Sequence, residues 1–307
     1  MRCLRTCFRN WVALMKIYNL GSLNIDYVYA VDHFVTAGET LASKTLEVFP
    51  GGKGLNQSIA LARAGANVIH GAVVGDNGEF LLETMAASGV EVSKIRKASG
   101  SCGHAIIQVD KNGQNSILLF PGTNHCVDRD YAEQFLADAK PGDMLLLQNE
   151  VSGLPDIFET AHEKGMDIVF NPSPFHETLR ELPLSYVKWW FCNEIEGEAL
   201  LGADEPEEMV QAFARLYPGS HLILTLGGAG SLYCGGGKVI RQQARRVNAV
   251  DTTAAGDTFT GYFLAAVAAG KDAQAALELA TAASAITVSR KGASQSIPGI
   301  AEVLRTL

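Results

Sequence analysis

The chain has 307 residues, with 25 Lys and Arg against 33 Asp and Glu, for a formal charge of -8. Hydrophobic residues make up 47% and charged residues 19%, which suits a core-forming chain of one large α/β unit or two domains and excludes a mainly disordered one. The acidic balance argues against a nucleic-acid partner, and no apolar run approaches the roughly 18 residues of a membrane helix.

Six cysteines, at 3, 7, 102, 126, 192 and 234, show neither zinc-ligand spacing nor a disulfide framework, so a reducing cytoplasm is the expected setting. Arg2, Arg5 and Arg9 precede a short apolar stretch that Lys16 ends. It is too short for a secretory leader, and residues 1–15 read as a dispensable extension. Residues 16–20 then predict a strand. Residues 27–50 predict short strands outside the main core, and 54–64 a helix with Gly65 at its end. Residues 68–74 read as one strand and 79–87 as a helix. Runs at 102–109 and 114–120 flank Asn112-Gly113, a hairpin signal. The second half alternates more cleanly. Strands are expected at 144–148, 168–170, 187–192 and 221–226, and helices at 130–139, 154–164 and 206–217. A hairpin at 231–234 and 239–243 precedes two helices, 255–269 and 273–289. Such alternation predicts a largely parallel sheet covered by helices. Trp189-Trp190-Phe191 reads as packing.

Four stretches carry polar groups where chemistry can be done. Gly51-Gly52-Lys53-Gly54 opens a helix, with Asn56 just inside it. Small residues there permit close approach of a polar ligand, or simply make a turn. Asn24 and Asp26 follow the first strand, where an amide and a carboxylate suit a polyhydroxylated substrate or stabilise a turn. Glu150 stands at a strand's carboxyl end, the edge that ligands favour in open α/β folds. Asp251-Thr252-Thr253-Ala254-Ala255-Gly256-Asp257-Thr258-Phe259 leads small residues into an apolar helix. Its first-turn N–H groups can hold phosphoryl oxygens, and Asp257 can accept the proton of an attacking alcohol. Neither a dinucleotide fingerprint nor a full Walker A arrangement is present.

The 51–57 and 251–259 segments, in this order and separation, resemble the two signatures of the ribokinase-like, or PfkB, family of carbohydrate kinases. The likeness covers residues 16–307. Asn171-Pro172-Ser173-Pro174 and Asn193-Glu194-Ile195-Glu196 resemble further segments of its ribokinase branch, although Cys192 stands where a proline often precedes that Asn. The resemblance implies a three-layer α/β/α sandwich with a small β-sheet lid. Its core would be 16–26, 51–99 and 121–307, and its discontinuous lid 27–50 and 100–120. It further implies ATP-dependent phosphorylation of D-ribose at O5, with a deoxyribose, fructose or nucleoside kinase, or an inactive sugar-binding protein, as alternatives.

On that resemblance Asn24, Asp26, Gly52, Lys53, Asn56 and Glu150 would hold the sugar, and Asp257 would be the base. Ala254, Ala255 and Gly256 would form an anion hole. Asn193, Thr225, Gly227, Gly228, Gly230 and Gly256 would line the nucleotide, with Glu196 serving Mg2+ through water. Potassium would lie among Asp251, Thr253, Val288, Lys291, Ala293 and Ser296. His104 could point from the lid towards substrate or stand at the surface. A homodimer paired through the lid is also expected, because an exposed small sheet has edges to protect.

Overall fold

Apolar runs alternating with helical patterns become one sheet with helices on both faces. The computed structural model describes residues 15–307. The expected extension lies outside the described residues except for Met15, which packs against the core. In chain order the strands are β1 (Ile17–Leu20), β2 (Asn24–Ala30), β3 (Thr45–Gly51), β4 (Val68–Gly71), β5 (Val73–Val74), β6 (Arg96–Lys97) and β7 (Gly103–Val109). They continue as β8 (Asn115–Phe120), β9 (Met144–Gln148), β10 (Asp167–Asn171), β11 (Val187–Asn193), β12 (His221–Thr225), β13 (Ser231–Gly235) and β14 (Lys238–Gln242). The helices are α1 (Lys53–Arg63), α2 (Glu79–Ala87), α3 (Arg129–Phe135), α4 (Leu154–Glu163), α5 (Glu194–Leu201), α6 (Pro206–Leu216), α7 (Ala255–Ala268), α8 (Ala273–Val288) and α9 (Ile300–Leu304).

The main sheet has eight strands in the order β14-β13-β12-β11-β10-β9-β1-β4. Pairing is parallel except at β12–β13 and β13–β14. In β9, Met144 and Leu146 enter the core shared with α1, α2, α7 and α8, while Leu145 and Leu147 enter the core shared with α3 to α6. Burial on both faces is why this strand reads as an unbroken apolar run. The result is the α/β/α sandwich the sequence predicts. Trp189, Trp190 and Phe191 on β11 are buried packing, as expected.

A second sheet has the order β3-β2-β7-β8. Its β2 begins at Asn24, so Asn24 and Asp26 stand on a strand of this sheet rather than in a loop after β1. His104 on β7 lies in it between the Tyr27 and Phe120 rings. The turn after β7 is a three-residue connection. Asp110 N–H donates to the Gln114 carbonyl, and Gly113 has φ 79°. The Asn-Gly signal therefore marks a bulged loop instead of a two-residue turn. The 68–74 stretch breaks in two because Ala72 N–H leaves the sheet to bond the Tyr131 hydroxyl, and β5 pairs with β6 instead. Gly236 and Gly237, at φ 56° and 72°, make the tight turn between β13 and β14.

One packing contact places the site. A Cβ on Gly261 would stand 2.4 Å from the Ala60 side chain and 2.8 Å from Leu61 N, so α7 can cross α1 closely only through glycine. Asp257 and Asn56 each lie one turn earlier on the same two helices, which brings them face to face.

Candidate active site

The start of α1 is built without a side-chain cap of its own. Gly52 is its N-cap, with φ 96°. Glu150 caps it from across the sheet. Its Oε2 accepts from Lys53 N at 3.0 Å and from the Ser22 hydroxyl, while Oε1 accepts from Lys53 Nζ at 2.9 Å. The Glu150 side chain is 7% exposed. Three of the roughly four acceptor positions of a carboxylate are thus filled from within, leaving one for a ligand. Burial works against the Lys53 ammonium, but Glu150 and then Asp257 outweigh it and hold its pKa above the ordinary value.

Asp26 lies directly over Gly51, where a Cβ would come within 2.1 Å of its carboxylate. Burial and then the charge of Glu150 push Asp26 up to about 7, against the pull of Lys53. Asn24 is buried, and its Oδ1 accepts from Asn124 Nδ2 at 2.7 Å. Asn124 Oδ1 in turn accepts from Leu23 N. Asn24 therefore pins the root of β2, as the turn-stabilising reading of that residue allows, and its own Nδ2 has no hydrogen-bond partner among the described residues.

Asp257 sits in the first turn of α7. Its Oδ2 accepts from Asn56 Nδ2 at 3.1 Å and its Oδ1 from Gln57 Nε2 at 2.9 Å. Burial pushes the carboxyl up to about 6; Lys53 and the two amides restrain the rise, and Glu150 adds to it. A carboxyl near neutrality suits general-base work. Asn56 Oδ1 is buried with no partner, an acceptor left over for a hydroxyl.

Two cavities meet at the start of α7, and the smaller one reaches this carboxylate. The smaller, about 250 Å³, is lined by Lys53, Asn193, Glu196, Ala254 and Asp257. The larger, about 680 Å³, is lined by Thr225, Gly227, Gly228, Gly230 and the 241–249 segment. Thr225, Thr252, Ala255 and Gly256 line both, so a ligand in one can reach into the other. At this junction Ala254 is the N-cap of α7 in the left-handed region, φ 58°, and no side chain caps the first-turn N–H groups. Ala255 N–H donates to the Thr252 carbonyl at 3.2 Å, and the remaining first-turn N–H groups are the ones an anion could take. A Cβ at Gly256 would meet nothing within 4 Å. By contrast Gly230, at φ 100°, would press a Cβ to 2.1 Å from the Gln242 carbonyl, so that glycine serves its turn.

Asn193 and Glu196 form a reciprocal capping box on α5, with Asn193 Oδ1 accepting from Glu196 N and Glu196 Oε2 from Asn193 N, both at 2.9 Å. Glu196 is nonetheless buried against the smaller cavity, and its Oε1 has no hydrogen-bond partner among the described residues. One free carboxylate oxygen fits a hydrated Mg2+, which keeps most of its waters. No cluster of three or more His, Cys, Asp or Glu able to hold a metal exists among the described residues. The expected potassium ligands come together only in part. Asp251 accepts from Thr253 and Gly292. The Val288 carbonyl accepts from both Val250 N and Asp251 N, and the Ala293 carbonyl from Ser296 N and Oγ. The Val288 and Ala293 carbonyls thus each accept two hydrogen bonds, while Ser296 serves only as a donor and keeps its own oxygens as acceptors. Lys291 joins none of these bonds.

The sequence reading left out Ser22, Gln57, Gln148 and Thr252 as functional groups. Gln148 closes an apolar strand run, and Gln57 lies inside a quoted motif, so a polar residue at a buried periodic position was the available signal. The 241–249 wall had no such signal.

Two cavities that meet at the start of α7, the smaller of them lined by the buried Asp257 carboxylate, suit a phosphotransferase. The family profile described as pfkB family carbohydrate kinase matches residues 15–300, and the chain belongs to that family. Ribokinase of Haemophilus influenzae is 36% identical over 94% of this chain and 97% of its own length. Deoxyribokinase of Salmonella typhi is 31% identical over 93% of this chain and 96% of its own. The crystal structure of ribokinase from Cryptococcus neoformans with ADP matches at TM-score 0.85 and 32% identity, covering 95% of this chain and 100% of that one. The protein is accordingly a sugar kinase of the ribokinase type, and use of ATP and Mg2+ is typical of its family.

Proposed function

We propose that this kinase transfers the γ-phosphoryl group of ATP to O5 of D-ribose, giving D-ribose 5-phosphate and ADP. The observation that carries the proposal is the Asp257 carboxylate, fixed by two amides on the wall of the smaller cavity, two residues from the Ala255 and Gly256 turn where that cavity meets the larger one. Asp26, Asn56 and the remaining acceptor position of Glu150 would hold the sugar hydroxyls, and Lys53 and Gly52 would close the pocket beside them. Asp257 takes the O5 proton as the O5–phosphorus bond forms. The bond from phosphorus to the bridging oxygen breaks, and its electron pair leaves on ADP. The N–H groups of Ala254, Ala255 and Gly256 receive the charge on the moving group. Bound Mg2+, with Glu196 reaching it through water and Asn193 beside it, would neutralise phosphate charge. A monovalent cation at Asp251 and the Thr253 carbonyl would stiffen the anion loop, and replacing K+ with choline is expected to slow turnover.

The deciding experiment is a panel of ribose, deoxyribose, fructose and nucleosides with ATP and Mg2+, reading ADP and the phosphorylated product. Ribose is expected to give the highest kcat/KM. A site built to bond a hydroxyl rejects the analogue lacking it. Faster turnover of deoxyribose would move the protein to its deoxyribokinase relatives, and ATP binding with no turnover of any acceptor would favour a sugar-binding regulator.

We also propose that the small sheet is a lid that pairs two copies of the chain. Ile117, Leu118, Leu119 and Phe120 on the edge strand β8 are 46–68% exposed, and Leu46 and Val48 on β3, the opposite edge, are about half exposed. An open apolar edge of this kind needs cover. Light scattering is expected to show a dimer that Leu118→Lys dissociates, and a monomer at assay concentration would end this part of the reading. Cys102, Cys126, Cys192 and Cys234 are all free, which supports a cytoplasmic setting. No helix among the described residues is long and apolar enough to cross a membrane.

A further inference from the structure

Behind the Asp257 carboxylate runs a chain of amides into the centre of the fold. Gln57 Nε2 donates to Asp257 Oδ1 at 2.9 Å and to Asn171 Oδ1 at 3.1 Å. Gln148 Nε2 donates to Gln57 Oε1 at 2.7 Å and to Asn19 Oδ1 at 3.0 Å. Asn19 Nδ2 donates to the Gly54 carbonyl at 2.9 Å and to Ser58 Oγ at 2.8 Å, and Ser58 meets His70 Nδ1. Asn19, Gln57, Ser58, His70 and Gln148 are all 0% exposed. Gln148 Oε1 and His70 Nε2 are left with no partner. Burying polar atoms unpaired is costly, and apolar side chains of similar size would fill the same space. Packing alone does not call for this chain.

Its direction is fixed at both ends by groups that can only accept. The Gly54 carbonyl forces Asn19 to present its NH2, and therefore its oxygen to Gln148. Gln148 then spends both protons, one of them on Gln57 Oε1. The second branch ends on the Phe191 carbonyl, which takes the NH2 of Asn171 at 2.8 Å. That leaves the Asn171 oxygen for Gln57. Both branches demand that Gln57 turn its NH2 towards Asp257. The opposite flip would set an amide oxygen against the carboxylate and two NH2 groups against each other.

We infer that Gln57 is a positioning residue for the phosphoryl-transfer base, and that Gln148 and Asn19 set its polarity. The inference rests on the reading of Asp257 as that base. A donor aimed at one carboxylate oxygen keeps Asp257 anionic against its burial and keeps its other lone pairs turned to the acceptor pocket. Other groups act on the same carboxylate. Lys53 on α1 favours its charge and Glu150, after β9, opposes it, while Glu196 on α5 lines the same cavity.

The test is the pH dependence of kcat, at saturating sugar and ATP, of the full chain carrying Gln57→Met or Gln148→Met. Loss of the Gln57 donor is expected to move the acid limb upward by about one pH unit and to lower kcat at pH 6 by roughly fivefold, with KM for the sugar within about twofold of the parent. Gln148→Met frees Gln57 to flip, and a smaller shift in the same direction is expected. If Gln57→Met does not fold, Gln148→Met carries the test. An acid limb that stays in place in a folded variant, with kcat and stability merely reduced, would overturn the inference and leave Gln57 a packing residue. Asp257→Asn run alongside separates the two ideas. Near-parental turnover in that variant removes the base itself, whereas a dead Asp257→Asn with an unmoved Gln57→Met limb removes only the role of the amides.

Discussion

Gly256→Val isolates the anion-holding turn from the fold. Gly256 is the second residue of α7, and a Cβ there would have no heavy atom within 4 Å. Its φ lies outside the left-handed region, so neither backbone nor packing requires glycine. Ordinary side chains in a helix are favoured over glycine by a few tenths of a kcal/mol up to about 1 kcal/mol. The thermal midpoint is therefore expected to hold or to rise by up to about 2 °C. The added methyl groups enter the junction of the two cavities, where they would stand between the first-turn N–H groups and a phosphoryl oxygen. A hydrogen bond to a charged group contributes about 1.5–3 kcal/mol. Losing one lowers kcat/KM for ATP by roughly 10–150-fold. Steady-state kinetics in ATP, calorimetric ADP binding and a melting curve on the same sample read all three effects. Parental ADP affinity and turnover in a variant of unchanged stability would refute the placement of the phosphate. A fall of many degrees in the midpoint would show that the space is not open.

Asp257→Asn is expected to lower kcat by about 10²–10⁴-fold, the range of general-base action, with sugar binding retained. The same change bears on stability with a definite sign. Asp257 and Asp26 have folded pKa values raised to about 6 and about 7, so the native state binds more protons than the unfolded chain between about pH 4 and those values. Their contribution to stability falls as pH rises through that window. Asp257→Asn and Asp26→Asn should each raise the melting temperature at pH 8 more than at pH 4.5, and the opposite ordering would count against the burial that causes the shifts. Lys53→Met strips Glu150 of its cation and is expected to cost about 2–3 kcal/mol in urea unfolding. It also removes the charge that restrains both aspartates, so the acid limb of kcat should move up; an unmoved limb would show that Lys53 does not act on them. Gly261→Val forces a methyl group into the Ala60–Leu61 contact and is expected to destabilise by about 3 kcal/mol. Parental kcat in that variant would mean that the crossing of α1 and α7 does not set the distance from Asn56 to Asp257.

Local patterns in the sequence carried much of this molecule. The alternation of apolar runs with helical periods prescribed the layered sandwich, because strands buried on both faces need helices on each side. The glycine-rich turn before α1 and the small residues before α7 were legible for the same reason, since backbone that must approach a ligand or hold an unusual φ restricts residue type. Asp257 was legible by its place in a helix's first turn. Tertiary structure alone decided what each polar group spends its bonds on. Glu150 reads as an acid at a strand's carboxyl end, yet folding also makes it the cap of α1, 97 residues away along the chain. The Val288 and Ala293 carbonyls each take two hydrogen bonds from residues that local patterns do not connect to them. Gln57, Gln148 and Asn19 come from three separate segments, and no local pattern records that they share protons. A hydrogen bond is a relation between two positions in space, and a residue's type fixes only how many it can make.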